Sequence, residues 1–260
     1  MSDPSLLDAR FAAVTDHFVG LGGDPYAYPD EDNHLEDMVF TFEKRSAEAR
    51  VYAELLGLAY GTERPVAGLA LDAGCGLGAH AARLEARFTH PCFVDADARR
   101  LRRAAAQPDG GRDPRFFVAD LTSPTWASAA AEGAFTFIQC VQVLGHVPLA
   151  AVQPALSAFA TALAPGGHLL LGVPFVGSPM DDFWITFLDG DAPRPMPTDA
   201  RKYDRLARAP QAMRLPVRHF ALGTLLEGHQ QAGLEVVQHK PYNWFSDERG
   251  DLFVLAKKPG

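Results

Sequence analysis

Three glycines at alternate positions, Gly74, Gly76 and Gly78, stand in the stretch LDAGCGLGAH (Leu71–His80), behind Asp72. Glycine at this density lets backbone N–H groups come close to a ligand, as nucleotide-binding turns require. Two patterns fit at once. Gly74, Gly76 and Ala79 match the GxGxxG/A turn of dinucleotide folds, which seats a pyrophosphate at a helix N-terminus. Asp72, Gly74, Gly76 and Gly78 match acid-x-Gly-x-Gly-x-Gly. The carboxylate separates them, because it repels a pyrophosphate and attracts an ammonium, more strongly as water is excluded. Asp72 therefore favours an aminoacyl-nucleoside over a dinucleotide.

Two more acids follow at matching places. Asp95, 17 residues after Gly78 in PCFVDAD, ends a second apolar run, where its carboxylate can accept from both ribose hydroxyls. Asp120 ends a third run in FFVADL, placed to accept from an adenine amino group, with the Leu121 N–H beside it to donate to the ring. Any one of these aspartates alone could be a helix cap. Together the three describe a site for amine, ribose and base.

Such a site needs strands that end side by side. From Leu69 onward short apolar runs alternate with helical patterns, the signature of a parallel sheet covered on both faces. The expected strands are Gly68–Asp72, Pro91–Asp95, Arg115–Ala119, Phe135–Val141, His168–Val173, Gly233–Lys240 and Leu252–Lys257. Helical segments fall at Ala79–Arg87, Arg99–Gln107, Val152–Ala164 and Phe220–Ala232, the last followed by two strands that make an antiparallel edge hairpin. Residues 1–65 form a helical cap or lid in which Phe40, Ala47, Val51, Leu55 and Leu58 give one helix its buried stripe. Residues 66–260 form the main domain, and a proline-rich insertion at about 174–218, with a short helix near Tyr203, is expected to be an irregular lid.

Taken together, LDAGCGLG, FVDAD, VADL, FTFIQCVQVLGHVP, LAPGGHLLLGVP, FALGTLLEGHQQAGLEVV and DLFVLAKKP resemble the class I S-adenosylmethionine-dependent methyltransferases over Val66–Pro259. The resemblance implies an α/β, Rossmann-like seven-stranded mixed sheet of order 3-2-1-4-5-7-6, last strand antiparallel, with helices on both faces. It implies S-adenosylmethionine as cofactor, S-adenosylhomocysteine as product, and the backbone of Gly74, Cys75, Gly76 and Gly78 around the methionine moiety. Asp72 then faces the amine, Asp95 and Ala96 the ribose, and Asp120 and Leu121 the adenine, while Cys140, Val141 and Gln142 line the carboxylate and sulfonium end. Two positions depart from the family's habit, Thr136 in place of Asp and Gly145 in place of Glu or His.

His146 stands at the rim where the methyl would be presented. An imidazole with the usual pKa near 6.5 can take a proton from a phenol, thiol or ammonium, and packing or helix capping is the alternative. Among the aromatics of the variable parts, Tyr26, Tyr28, Phe183 and Trp184 are candidates for walling an apolar acceptor pocket. No metal is expected, because the acidic run Asp30–Asp37 lacks ligand spacing. The arginines at 99, 100, 102 and 103 read as a solvated helix face.

Composition bounds the partners. A net charge of -8 argues against a nucleic-acid backbone as the main partner. No stretch approaches the roughly 20 apolar residues that span a bilayer. Three cysteines without CxxC spacing suit a reducing compartment, so a cytoplasmic enzyme acting on a small molecule, as in specialised metabolism, is expected, either monomeric or homodimeric. A non-catalytic S-adenosylmethionine-binding subunit or sensor and a nicotinamide-dependent oxidoreductase are the alternatives.

Overall fold

The computed structural model describes residues 42–62, 65–106, 114–123, 126, 132–187, 193–209, 214–244, 246 and 248–260. The candidates Tyr26 and Tyr28, the acidic run at 30–37 and Phe40 lie outside the described residues.

Five parallel strands make the centre: β1 (Val66–Ala73), β2 (Phe88–Asp95), β3 (Arg115–Val118), β4 (Phe135–Val141) and β5 (Leu163–Val176). They lie in the order β3-β2-β1-β4-β5. The C-terminal hairpin extends this row, with β10 (Arg249–Lys257) antiparallel to β5 and β9 (Glu235–Trp244) antiparallel to β10. The expected order 3-2-1-4-5-7-6, with its antiparallel last strand, is therefore the order of the main sheet.

Alternate residues of these strands feed two cores. Leu69, Leu71, Val94, Ile138, Leu169 and Leu171 pack on one face against α4 (Leu149–Ala162) and α6 (Leu222–Gln231), which supply Leu156, Phe159 and Leu225. Ala70, Phe93, Phe137, Leu170 and Phe253 face the other way, toward α1 (Phe42–Tyr60), α2 (Ala81–Arg87) and α3 (Ala98–Ala105), which supply Val51, Leu55, Leu84 and Leu101. Burial on both faces is why these strands read as nearly unbroken apolar runs.

Among the described residues the sheet has ten strands rather than the expected seven, and the three extra ones come from the insertion. Beyond β5 the chain forms β6 (Asp182–Phe187), β7 (Arg194–Thr198), α5 (Ala200–Arg208) and β8 (Arg214–Ala221). Here the expectation of an irregular lid is corrected to an antiparallel sheet of order β8-β6-β7 backed by a helix. Phe175 and Val176 of β5 pair with β10 on one edge and with Phe220 and Ala221 of β8 on the other. That second edge belongs to β4 as far as Val141↔Gly172, so β8 takes over where β4 stops and the insertion stands above the carboxyl end of β4. For the same reason Phe220 and Ala221 are strand, and the last helix begins only at Leu222.

On α1 the buried stripe differs from expectation. Leu58 is 59% exposed, whereas Glu48, Tyr52 and Leu56 are buried beside Val51 and Leu55. Two of these carry polar tips to partners across the core: the Tyr52 hydroxyl donates to Gln139 Oε1 of β4, and Glu48 pairs with Arg83 of α2.

Candidate functional site

The carboxyl ends of the parallel strands open into a cavity of about 670 Å³. Its floor begins with the glycine turn after β1. Gly74, Gly76 and Gly78 have φ of 81°, 55° and 83°, a left-handed conformation that costs an L side chain. A Cβ on Gly74 would lie 2.4 Å from Val143 Cγ2. The Gly74 and Cys75 N–H groups both donate to the Val94 carbonyl, at 2.7 and 3.0 Å, folding the turn over the end of β2.

Asp95 then closes the turn. Its Oδ2 accepts from Gly76 N–H at 2.8 Å and its Oδ1 from Asp97 N–H at 2.8 Å. Burial pushes the Asp95 carboxyl up, opposed by these two N–H groups and by Arg100. Capping of α3 falls instead to Asp97, which accepts from the Arg99 and Arg100 N–H groups. Asp95 is thus released from the helix-cap role and stands in the cavity wall. Asp120 stands two residues beyond the end of β3, and its Oδ1 accepts from both the N–H and the hydroxyl of Thr122, at 2.8 and 2.7 Å.

Of the sequence candidates, Gly74, Cys75, Gly76, Asp95, Ala96, Asp120, Leu121, Val141, Gln142, His146 and Trp184 line this cavity. Among the described residues that line it, Asp72, Gly78, Cys140 and Phe183 do not appear. Asp72 is 1% exposed at the end of β1, in register with Gln139, and its charge adds to burial in raising the Cys140 thiol and the Tyr52 phenol. Gly78 faces Ala104 of α3, and Phe183 lies behind the insertion sheet against Tyr203 of α5, ring centroids 5.2 Å apart. Arg100, expected on a solvated face, lines the cavity.

The roof of the cavity is one face of the insertion sheet. Trp184 and Thr186 of β6 and Leu215, Val217 and His219 of β8 point into it, at the two-residue period of a strand. On the opposite face Tyr203, Leu206 and Ala207 of α5 are buried. Arg249 at the start of β10 fastens this roof, its guanidinium 4.6 Å from the Trp184 ring centre and its Nε 2.7 Å from Asp182 Oδ2. Burial presses the Asp182 carboxyl upward, but hydrogen bonds from Trp184 and Arg249 outweigh it and hold the pKa below the usual value.

Sequence reasoning missed Pro174, Val217, His219, Arg249 and Asp251, all of which line the cavity. For Asp251 a signal existed: an acid directly before the expected last strand, which runs antiparallel and so begins at the same edge where β1 to β5 end. His146 does not cap α4, whose first N–H group, that of Leu149, donates to Asp204. Its Nδ1 lies 2.8 Å from the Pro216 carbonyl of β8. Gly145 is explained by its surroundings, since a Cβ there would meet Pro174 at 3.0 Å and the Arg218 carbonyl at 3.2 Å.

A turn that admits only backbone, with Asp72 buried beneath it and the half-buried carboxylates of Asp95 and Asp120 in the cavity wall, fits an adenosyl amino acid. A family model described as a methyltransferase domain matches residues 44–239, and the chain belongs to that family. It is a methyltransferase, and the nicotinamide reading of the glycine turn gives way. Solved structures share the fold at low identity. A Burkholderia thailandensis 1,6-didemethyltoxoflavin-N1-methyltransferase, solved with that compound and S-adenosylhomocysteine, matches at 17% identity and TM-score 0.56, over 100% of this chain and 92% of its own. An S-adenosylmethionine-dependent methyltransferase from Mesorhizobium loti matches at 20% and 0.52, over 78% of this chain and 100% of its own. The N-methyltransferase NodS from Bradyrhizobium japonicum matches at 17% and 0.54, over 83% and 98%. No curated protein matches the chain in sequence. Among the described residues no helix is long and apolar enough to cross a membrane.

Proposed function

We propose that the protein methylates a small molecule held beneath the β8-β6-β7 roof, as a step of specialised metabolism in the cytoplasm. The observation that carries this reading is the continuity of the cavity, which runs from Gly74, Asp95 and Asp120 at one side to Trp184, Val217 and His219 at the other. About 670 Å³ suits a nucleoside and a small acceptor side by side. A polymer would need an open groove, and the insertion roofs the acceptor side instead. The three buried free cysteines suit a reducing compartment.

S-adenosylmethionine supplies a methyl group already activated on a sulfonium. The chain's own task is alignment of the acceptor in line, at about 3 to 3.5 Å, and exclusion of water. In this reading the backbone of Gly74, Cys75 and Gly76, with Val141 and Gln142, holds the methionine end. Asp95 and Ala96 take the ribose, and Asp120 and Leu121 the adenine. Asp72, Gly78 and Cys140 act from beneath, by shaping the turn and the end of β4. Trp184 contacts the acceptor, Phe183 supports the roof from behind, and His146 stands at the methyl.

The test is to incubate the full chain with methyl-labelled S-adenosylmethionine and extracts containing metabolites, protein and RNA. Label in the small-molecule fraction is expected. Label confined to protein or RNA contradicts the reading, and cofactor binding without transfer to any fraction favours a non-catalytic subunit.

A further inference from the structure

Four hydrogen bonds join the insertion to the short turn Gly145–Val147 after β4. The Arg218 N–H donates to the Gly145 carbonyl at 2.8 Å. The Tyr203 hydroxyl, buried on α5, lies 3.0 Å from that carbonyl and 2.7 Å from the Val147 carbonyl, and shares its one proton between them. His146 Nδ1 completes the set at 2.8 Å from the Pro216 carbonyl. A Cβ at 145 would crowd Pro174 and the Arg218 carbonyl, and with glycine there the turn and β8 meet backbone to backbone.

A carbonyl only accepts, so Nδ1 carries the ring proton and Nε2 keeps the lone pair. We propose that the insertion makes His146 a base. Tyr203, as a positioning residue, and the Pro216 carbonyl hold the ring as its Nδ1–H tautomer, with Nε2 left to take a proton from the acceptor in the cavity. The acceptor is then a molecule whose nucleophilic atom carries a proton, namely a hydroxyl, thiol or ammonium. This acceptor half rests on the methyl-transfer reading above; the tautomer half does not.

The step balances. The acceptor's proton passes to Nε2, its lone pair bonds the methyl carbon, and the carbon–sulfur bond breaks with its pair going to sulfur. The resulting imidazolium returns its proton to water. Burial presses the His146 pKa below 6.5, against the bond to Pro216, and the charge of Arg100 on α3 acts in the same direction as burial. On the packed elements, the charged and titratable groups at or next to the contacts with this turn are Arg218 and His219 of β8 and Tyr203 and Asp204 of α5. Arg218 is bound to Asp181, and Asp204 to the Leu149 N–H and Arg208. The ring is therefore neutral and able to accept at pH 7.

Nitrogen-15 spectra of the histidine rings test this on the full chain without an acceptor. In the wild type His146 is expected as a neutral ring protonated on Nδ1. In Tyr203→Phe, which keeps its ring against Phe183, a mixture of the two neutral tautomers is expected. A wild-type ring protonated on Nε2 overturns the proposal whether or not the variant folds, and a folded variant with the wild-type spectrum overturns the role of Tyr203. A product methylated on an atom with no proton to lose, such as a tertiary amine or thioether, overturns the acceptor half. Failure of the underlying reading shows separately, as absence of heat when the same protein is titrated with S-adenosylmethionine.

Discussion

Gln142 Nε2 lies 2.8 Å from Asp251 Oδ1, a bond that joins the end of β4 to the start of β10 across the cavity wall. The same amide donates to the Tyr242 hydroxyl at 2.8 Å, and its backbone N–H to the Gly172 carbonyl. To reach all three, Gln142 adopts φ 59°, the one non-glycine residue with positive φ among the described residues. Strain of this kind gathers where a side chain is aimed for function.

Gln142→Gly and Gln142→Ala separate the two contributions. Both lose the amide, but only glycine regains an unstrained left-handed backbone. The alanine variant is expected to be less stable than the glycine variant by about 1–2 kcal/mol, read from urea unfolding midpoints. Equal stabilities would remove strain from the account of this residue.

The glycine turn gives a second prediction. Gly74→Ala puts a methyl 2.4 Å from Val143 Cγ2 at a φ of 81°. A loss of about 1–3 kcal/mol is expected, with weakened cofactor binding. Adding Val143→Ala should recover part of it by removing the clash while leaving the backbone cost. No recovery in the double variant would locate the whole cost in φ.

The three strand-end acids were legible because a parallel strand delivers the residue after its apolar run to the carboxyl edge of the sheet, so order along the chain becomes order across the site. The roof was not. Its strand β7, RPMPT, carries Pro195 and Pro197, which read as loop and are tolerated only because the strand is an edge. Its strands are short, and polar residues fall on the cavity face, where Thr186 and His219 replace the apolar signal. On α1 the apolar spacing suggested Leu58, but the partners Arg83 and Gln139 bury Glu48 and Tyr52 instead, and no local pattern announces a partner on another element.

His80 supplies a pH dependence. Burial, with the Arg83 charge, lowers its pKa from 6.5 to about 3. Glu48 lies 3.3 Å from Nδ1 and would favour the charged ring, but Arg83 occupies that carboxylate and burial dominates. The unfolded chain binds this proton below pH 6.5 and the folded chain only near pH 3. Stability therefore falls as pH drops through that window, by an amount on the order of a few kcal/mol, and levels off below it. His80→Gln should flatten the slope of unfolding free energy between pH 6.5 and 4; an unchanged slope would mean that the ring is already protonated when folded.

The central claim is that Asp95 and Asp120 seat S-adenosylmethionine above the glycine turn, with Asp95 as the ribose acid that also closes the turn at Gly76. Calorimetric titration of the wild type and Asp95→Ala with S-adenosylhomocysteine measures it most directly. Loss of charge-assisted hydrogen bonds worth about 1.5–3 kcal/mol predicts one site per chain in the wild type and affinity weakened roughly 10- to 100-fold in the variant. Equal affinity in the two proteins would contradict the account.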